Sequence, residues 1–395
     1  MITIVIGGDV CPTGRIQNAF IEGSADAIFH DLLDDVTHAD LSIVNLECPL
    51  VSHKTPIAKS GPVLGADVRC IQGFAAADWN ILNLANNHSF DHGASGLRET
   101  IHTIEAAGLA YIGAGSNIEE AQKPCIQEMN GERIVIYSMA EREFSIADET
   151  SPGSNPFDLI NCIGAIRQYK QDGIFIALIH GGKEFYSYPS PEMVRKCRFM
   201  IDMGADAVIC CHTHCPLPWE IYAGRPIIYG LGNFIFEPLR EAPASWYEGY
   251  LARLTVGGGR VCMEAIPYVQ SFGQAGVRKM NDVEQKRFTN EMNRKNIEVQ
   301  DVKFLAQQWR DYCHKQKSFY LEALFGCNRL MRKVHSMLQA RLYSKRQVLR
   351  ALNLVQCETH QEVLNTIFKY EKETSSSEFQ KIILKGKKFG KFDET

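Results

Sequence analysis

Leu82-Asn83-Leu84-Ala85-Asn86-Asn87-His88-Ser89-Phe90-Asp91-His92-Gly93 is the stretch that decides how this chain folds. Ile81 to Ala85 reads as a short buried strand, and Ala94 to Ala107 follows almost at once with helical spacing. The Asn-Asn-His run therefore sits on the turn leaving a strand, where open α/β sheets bind ligands. An amide oxygen can ligate a hard or borderline metal ion, and the imidazole beside it can pass a proton without being a ligand. The alternative is that Asn, Asp and Gly only make the turn and cap the helix. Other strand ends decide between the two.

Upstream, the β-branched run Ile2 to Ile6 predicts a central strand ending at Gly7-Gly8-Asp9. Leu41 to Val44 predicts a second, ending at Asn45-Leu46-Glu47. Downstream, Leu109–Ile112 is a strand, and Asn130-Gly131 between apolar runs is a hairpin signal. Gly173 to Ile179 is a buried strand that ends at His180-Gly181-Gly182-Lys183-Glu184, and Ala207–Cys210 leads to Cys211-His212-Thr213-His214. Pro226–Tyr229 leads to Gly230-Leu231-Gly232-Asn233, and Tyr250–Val256 and Val261–Tyr268 form a late hairpin. Segments 26–36, 68–77, 158–169 and 191–203 read as helices between these strands, so the class is α/β. Five strand ends deliver carboxylate, amide or imidazole: Asp9; Asn45 and Glu47; Asn87 and His88; His180; His212 and His214. Strand ends of one sheet share an edge, and five such ends point to one metal site. Gly113-Ala114-Gly115 and Gly181-Gly182-Lys183 lack the spacing of dinucleotide and phosphate loops.

The 395 residues favour two domains, and the apolar fraction of 45% is ample for a large core. No apolar run approaches the ~20 residues that span a bilayer. Met1 runs directly into the first strand without a basic leader, and 13 scattered cysteines show no paired framework. The expectation is a cytoplasmic protein with reduced thiols. Residues 1–280 carry 20 basic against 32 acidic groups, and 281–395 carry 22 against 14, so an acidic globular part precedes a basic appendage.

These motifs resemble the bacterial capsule-synthesis CapA (PGA_cap) family, itself similar to the calcineurin-like metallophosphatases. The resemblance rests on Gly8-Asp9-Val10 with Gly14-Arg15, Asn45-Leu46-Glu47 with Pro49-Leu50, and Leu84 to His88 with Asp91 and Gly93. It continues in His180-Gly181-Gly182 with Glu184, Gly204-Ala205-Asp206 leading to His212 and His214, and Tyr229 to Phe234, and covers roughly 1–270. It implies a four-layer α/β/β/α sandwich with two divalent metal ions (Mn, Zn or Fe) at the sheet edge. Carried over, Asp9 and His214 would hold one ion, Asn87, His180 and His212 the other, and Glu47 would bridge them. His88 would be the general acid or transition-state donor. Two ions about 3.5–4 Å apart activate a bridging water and neutralise a phosphoryl group. Cys11 stands where the superfamily has His and CapA relatives often have Met, so it is not expected to be a ligand. Cys210-Cys211-His212-Thr213-His214 replaces Gly-His-His-Pro-His, which leaves open a Cys211 thiolate that would favour zinc. Arg15 and Lys59 are read as grips for an anionic substrate or as solvated charges. Asn45 and Glu184 are read as groups that support the ligands, or Glu184 as a plain surface carboxylate. Asp91 is read as a turn or cap residue and His92 as solvent-facing.

From Val283 the pattern is helical, with Phe304, Leu305, Trp309 and Tyr312 and then Leu330, Val334, Leu338 and Leu342 at helical spacing. Ala323 to Cys357 has no acid but carries Arg329, Arg332, Lys333, Arg341, Lys345, Arg346 and Arg350. Such a helix can lie on an anionic membrane, dock on the acidic part or self-associate. The expected organisation is a metallophosphatase-like domain over 1–270, a basic helical region over 271–374 and a flexible basic tail over 375–395. The expected function is hydrolysis of phosphoester or phosphoanhydride bonds in capsule or cell-surface polymer biosynthesis. The alternatives are a low-turnover assembly or polymer-handling protein, and an amide hydrolase or transferase on a poly-γ-glutamate-like polymer. The partner is then an anionic phosphorylated or polymeric substrate, with no nucleic acid, no transmembrane segment, and self-association left open.

Overall fold

The computed structural model describes residues 1–238, 242–325 and 344–369. Its strands are β1 Ile2–Cys11, β2 Leu41–Leu46, β3 Ile81–Asn83, β4 Ala110–Ile112, β5 Ala114–Gly115, β6 Cys125–Met129, β7 Glu132–Ala140 and β8 Gly153–Ser154. They continue as β9 Ile174–His180, β10 Ala207–Cys211, β11 Trp219–Tyr222, β12 Arg225–Ile228, β13 Asn233–Phe236, β14 Glu248–Gly257, β15 Arg260–Gln270 and β16 Val277–Lys279. One sheet runs β16-β15-β14-β1-β2-β3-β4, with β13 also paired to β1. A second runs β11-β12-β10-β9-β7-β6. Parallel strands fill both centres, antiparallel hairpins finish three of the four edges, and β4 closes the fourth parallel to β3.

Side-chain alternation builds the layers. Ile2, Ile4 and Ile6 of β1, with Leu41 and Ile43 of β2, meet Ile134, Ile136, Ile174 and Ile176 of the second sheet in a core between the sheets. Val5, Val44 and Leu46 point the other way, onto Phe20, Phe29, Phe74, Leu97 and Ile104 from helices on the outer face. Helices Leu159–Tyr169 and Pro191–Asp202 cover the second sheet through Cys162, Ile166, Val194 and Cys197. The architecture is the expected α/β/β/α sandwich with C-terminal helices. Burying one isoleucine stabilises by roughly 1.5–3 kcal/mol, and a one-residue slip of β1 would exchange its two faces. The register is thereby fixed, and with it the positions of the strand ends.

Two turns follow from local chemistry. Asn130 and Gly131 both take positive φ (48° and 80°), the geometry of a tight hairpin between β6 and β7. In β1 the pairing register shifts between Gly7 and Asp9. A Cβ on Gly8 would lie 2.0 Å from the Gly232 carbonyl oxygen, so only glycine fits where the chains approach. That irregularity sets Asp9 beside Asn45 on one side and Asn233 on the other.

The helix expected over 26–36 is broken into Ala25–Phe29, a 3-10 turn His30–Leu32 and Leu33–Thr37, because His30 adopts φ 44°. The chain divides into compact units at Leu305/Ala306, beyond the expected residue 270. Strand β16 and helix Asp282–Glu298 belong to the first unit, where Phe288 and Met292 enter the inter-sheet core. In the second unit Trp309, Cys313 and Tyr320 of helix Val302–Phe325, Leu354 of helix Lys345–Gln356, and Val363 and Ile367 are buried, and Trp309 Nε1 donates to Thr366 (3.2 Å). Arg329, Arg332, Lys333, Arg341 and the tail 375–395 lie outside the described residues. Among those described, no helix is long and apolar enough to cross a membrane.

Candidate metal centre

Both sheets direct their strand ends at one buried point. From the first sheet come Asp9, Asn45, Glu47, Asn87 and His88; from the second come His180, His212 and His214, all buried. Asp9 is held on both oxygens. Its Oδ1 accepts from Asn45 Nδ2 (2.8 Å), and its Oδ2 accepts from the His212 backbone N–H (3.1 Å). Asn45 Oδ1 in turn accepts from Asn83 (2.9 Å) and Asn86 (3.2 Å), so an amide ladder fixes the carboxylate. His212 and His214 adopt φ of 93° and 54°. Left-handed backbone at a bulky residue costs on the order of 1–3 kcal/mol, and here it aims both rings at the same centre.

Glu47 is the decisive group. Among the described residues neither carboxylate oxygen has a hydrogen-bond donor, although the side chain is fully buried. Its Oε1 lies 3.7 Å from His214 Nε2, 3.8 Å from His180 Nε2 and 3.9 Å from His88 Nε2. Burial, and then the charge of Asp9, push its pKa well above the usual carboxylate range. Asp9 is raised chiefly by burial too. Burial drives the His180 ring well down and His212 to about 3, so both present neutral imidazole. A buried orphan carboxylate costs about 1–3 kcal/mol or more. Two ligands about 2.1 Å from one ion lie roughly 3–4 Å apart, the spacing seen around Glu47. Two ligand groups emerge, Asp9-Glu47-His180 and Glu47-His212-His214, each with donor atoms within 4.8 Å of one another. The donor set fits a pair of divalent ions sharing Glu47. Asp9 lies between the two groups, with Oδ1 3.8 Å from His180 Nδ1 and Oδ2 3.7 Å from His214 Nδ1, the partner that the resemblance implies. Asn87 Oδ1 is 3.0 Å from His180 Nε2, within the same cluster. His214 Nδ1 is tied to Asn233 Oδ1 (2.9 Å), leaving its Nε2 to face Glu47.

His88 Nδ1 meets Asp91 Oδ2 at 2.7 Å, so its Nε2 is the atom turned toward Glu47. Burial first, and then the Lys59 ammonium, lower its pKa to about 4. Lys59 is buried, donating to Asp91 Oδ1 (2.6 Å) and to the Asn87 carbonyl (3.0 Å). It is neither a solvated charge nor turned outward. Arg15 is bound to Glu237 (3.0 Å) and to the carbonyls of Ser271 and Gly273. Glu184 Oε1 is 4.0 Å from His212 Nε2. His92, read as solvent-facing, is buried, and its Nδ1 accepts from the Thr55 N–H at 2.8 Å. No cysteine joins either ligand group among the described residues: Cys11 lies in the helix-side core and Cys211 in the inter-sheet core.

Three participants escaped sequence reading. Glu143, just past β7, has Oε1 3.9 Å from His212 Nε2, and burial raises its pKa to about 7. A sixth strand end bearing carboxylates was the available signal. Asn233 orients His214, and Asp91 orients His88; each looked like ordinary turn chemistry. Beside His214, Phe185 adopts φ 60°, is 51% exposed, and stacks on Trp246 with ring centroids 5.8 Å apart.

The profile of the family described as "Bacterial capsule synthesis protein PGA_cap" matches residues 3–238. The capsule biosynthesis protein CapA of Bacillus anthracis is 28% identical over 246 residues, covering 60% of this chain and 60% of that protein. The PGA biosynthesis protein CapA of Bacillus subtilis (strain 168) is 28% identical over 236 residues, covering 58% of this chain and 62% of its own length. The chain thus spans about three-fifths of the curated relatives it matches. A structure titled as a hypothetical protein from Thermus thermophilus aligns with TM-score 0.45 at 17% identity, over 71% of this chain and 100% of that one.

Proposed function

We propose that this chain, which belongs to the bacterial capsule synthesis protein PGA_cap family, is a metal-dependent hydrolase of phosphoester or phosphoanhydride bonds that serves capsule or cell-surface polymer biosynthesis. The observation that carries this reading is Glu47: a buried carboxylate without a donor, encircled by the Nε2 atoms of His88, His180 and His214. Asp9, Glu47, Asn87, His180, His212 and His214 would hold two divalent ions, Mn, Zn or Fe. When bound, such ions lower the pKa of a coordinated water and offset phosphoryl charge. The protein's own part is positioning and proton handling. Asn45 and the His212 N–H fix Asp9, and Asn233 fixes His214. Asp91 holds the Nδ1 side of His88, so a proton is exchanged with the reacting group at Nε2. Because the free ring is held neutral, a proton for the leaving oxygen must first reach Nε2 from substrate or water. Among the described residues the thiols are free and mostly buried, as a cytoplasmic site of action would require.

A second reading, amide hydrolysis or transfer on a poly-γ-glutamate-like polymer, gains from one observation. Arg15 and Lys59, the cations that the sequence offered as phosphate grips, are engaged by Glu237 and Asp91. The test is elemental analysis after loading, followed by assays of phosphoesters and γ-glutamyl peptides with Mn²⁺ or Zn²⁺. About two ions per chain with phosphate release supports the first reading. Peptide cleavage alone moves the assignment to the second, and a stoichiometry near zero removes both.

A further inference from the structure

We infer that Phe185, backed by Trp246, is a stacking surface for a planar heteroaromatic ring, of nucleobase type, on the substrate side of the metal centre; this rests on the site accepting a phosphorylated compound. Phe185 combines two unfavourable features. A bulky residue sits in the left-handed region at φ 60°, and it is exposed to water (51%). Glycine would carry neither burden, and it occupies both positions 181 and 182 of the same loop. Strained residues of this kind gather at ligand clamps.

The ring is held firmly. The Phe185 N–H donates to the Thr213 carbonyl (2.9 Å), within the turn that carries His212 and His214. One side of Phe185 stacks on Trp246 at an interplanar angle of 21°, and its centroid is 5.7 Å from the His214 ring. Trp246 is itself buried, with Nε1 donating to the Phe236 carbonyl (2.9 Å) and its own carbonyl accepting from Asn233 and Gln270. The Asn233 that grips Trp246 also orients His214. The exposed part of Phe185 is therefore fixed relative to the ligand cluster, one ring away from it. A rigid aromatic face is recognised best by another π-face, since rings prefer offset or edge contacts at about 4.5–7 Å. A base on an aromatic side chain binds whatever its hydrogen-bonding edge.

The test uses the full-length, metal-loaded protein with adenosine 5′-monophosphate and 1-O-methyl-ribofuranoside 5-phosphate, which share a locked sugar phosphate and differ at C1, base against methoxy group. Affinity is measured by calorimetry, ring contact by saturation-transfer NMR, and phosphate release is followed in parallel. The nucleotide is expected to bind roughly tenfold tighter, with saturation of its base protons, as one base stacked on one aromatic side chain provides. Phe185→Ala should erase that difference, and Phe185→Gly should erase it while melting no lower than the parent. Equal affinity for the two ligands, or a preference that survives in both variants, overturns the inference. Phosphate release without a base preference overturns it and leaves the hydrolase reading standing. A base preference without phosphate release supports it and counts against hydrolysis.

Discussion

Replacing Glu47 by Gln should leave the metal-free protein almost as stable as before and abolish its stabilisation by metal. The reasoning starts from the carboxylate's isolation: no donor reaches it, and burial with Asp9 raises its pKa well above the usual range. Without metal, a carboxyl pushed toward its neutral form by burial and the isosteric amide are near equivalents, so the change is expected to cost no more than ~1 kcal/mol. With metal the two diverge, because Glu47 is common to both ligand groups. An ion present at one hundred times its Kd stabilises by about 2.7 kcal/mol. Unfolding the unit Met1–Leu305 releases roughly 0.6 kcal/mol per kelvin at ~2.1 cal/mol/K per residue. One ion should therefore raise Tm by ~4 °C, and two by ~8 °C. Scanning calorimetry of both proteins, chelated and then reloaded with Mn²⁺ or Zn²⁺, reads this directly. A wild-type protein indifferent to metal would refute the reasoning, as would a Glu47→Gln variant that gains as much as wild type.

His88→Asn should lower turnover by roughly 10²–10⁴ while metal content stays near wild type, since the ring faces the cluster without entering either ligand group; full activity in the folded variant removes His88 from the chemistry. Lys59→Met leaves Asp91 buried without its cation, so a loss of about 3–5 kcal/mol, roughly 5–8 °C in Tm, is expected, with much of it recovered in Lys59→Met/Asp91→Asn. Glu284 caps helix Asp282–Glu298 and pairs with Arg278, which holds its carboxyl at about 2. A depressed folded value means the contribution is complete above the unfolded value of ~4.3 and is lost as pH falls toward 2. Urea midpoints should therefore separate wild type from Glu284→Gln by about 1 kcal/mol at pH 7, an amount already discounted for partial exposure, and converge near pH 2; a constant gap would assign the effect to helix capping alone.

Strands were the most legible part of the sequence, because β-branched runs such as Ile2–Ile6 and Ile174–Ile179 have few other uses. Their ends then located most of the cluster without any knowledge of tertiary contact. What remained hidden depended on partners remote in sequence. Lys59 lies in a Pro- and Gly-rich loop that reads as surface, and only the fold places Asp91 against it. His30 interrupts a periodic segment through a backbone angle that no composition reveals. Helix Asp282–Glu298 offers so few apolar side chains that Phe288 and Met292 give little sign of entering the inter-sheet core. Glu143 follows a strand as plainly as Glu47 does, yet a carboxylate in a charged Glu-Arg-Glu run resembles solvated sequence until its burial is seen.

The cluster draws Asp9 and Glu47 from one sheet and His180 and His212 from the other, so its first and last ligands are some two hundred positions apart along the chain. The first sheet closes a loop of similar length when β1 pairs with β13 and β14, so the cluster and the middle of that sheet depend on the same slow, long-range pairing. Ions bound at this seam would act mainly on the exit from the native state, because interactions absent from the transition state slow unfolding more than they hasten folding. The centre would thereby double as a kinetic latch: a loaded chain is expected to resist opening and proteolysis for longer than its equilibrium stability alone would imply, because holding the metal needs ligands from both sheets.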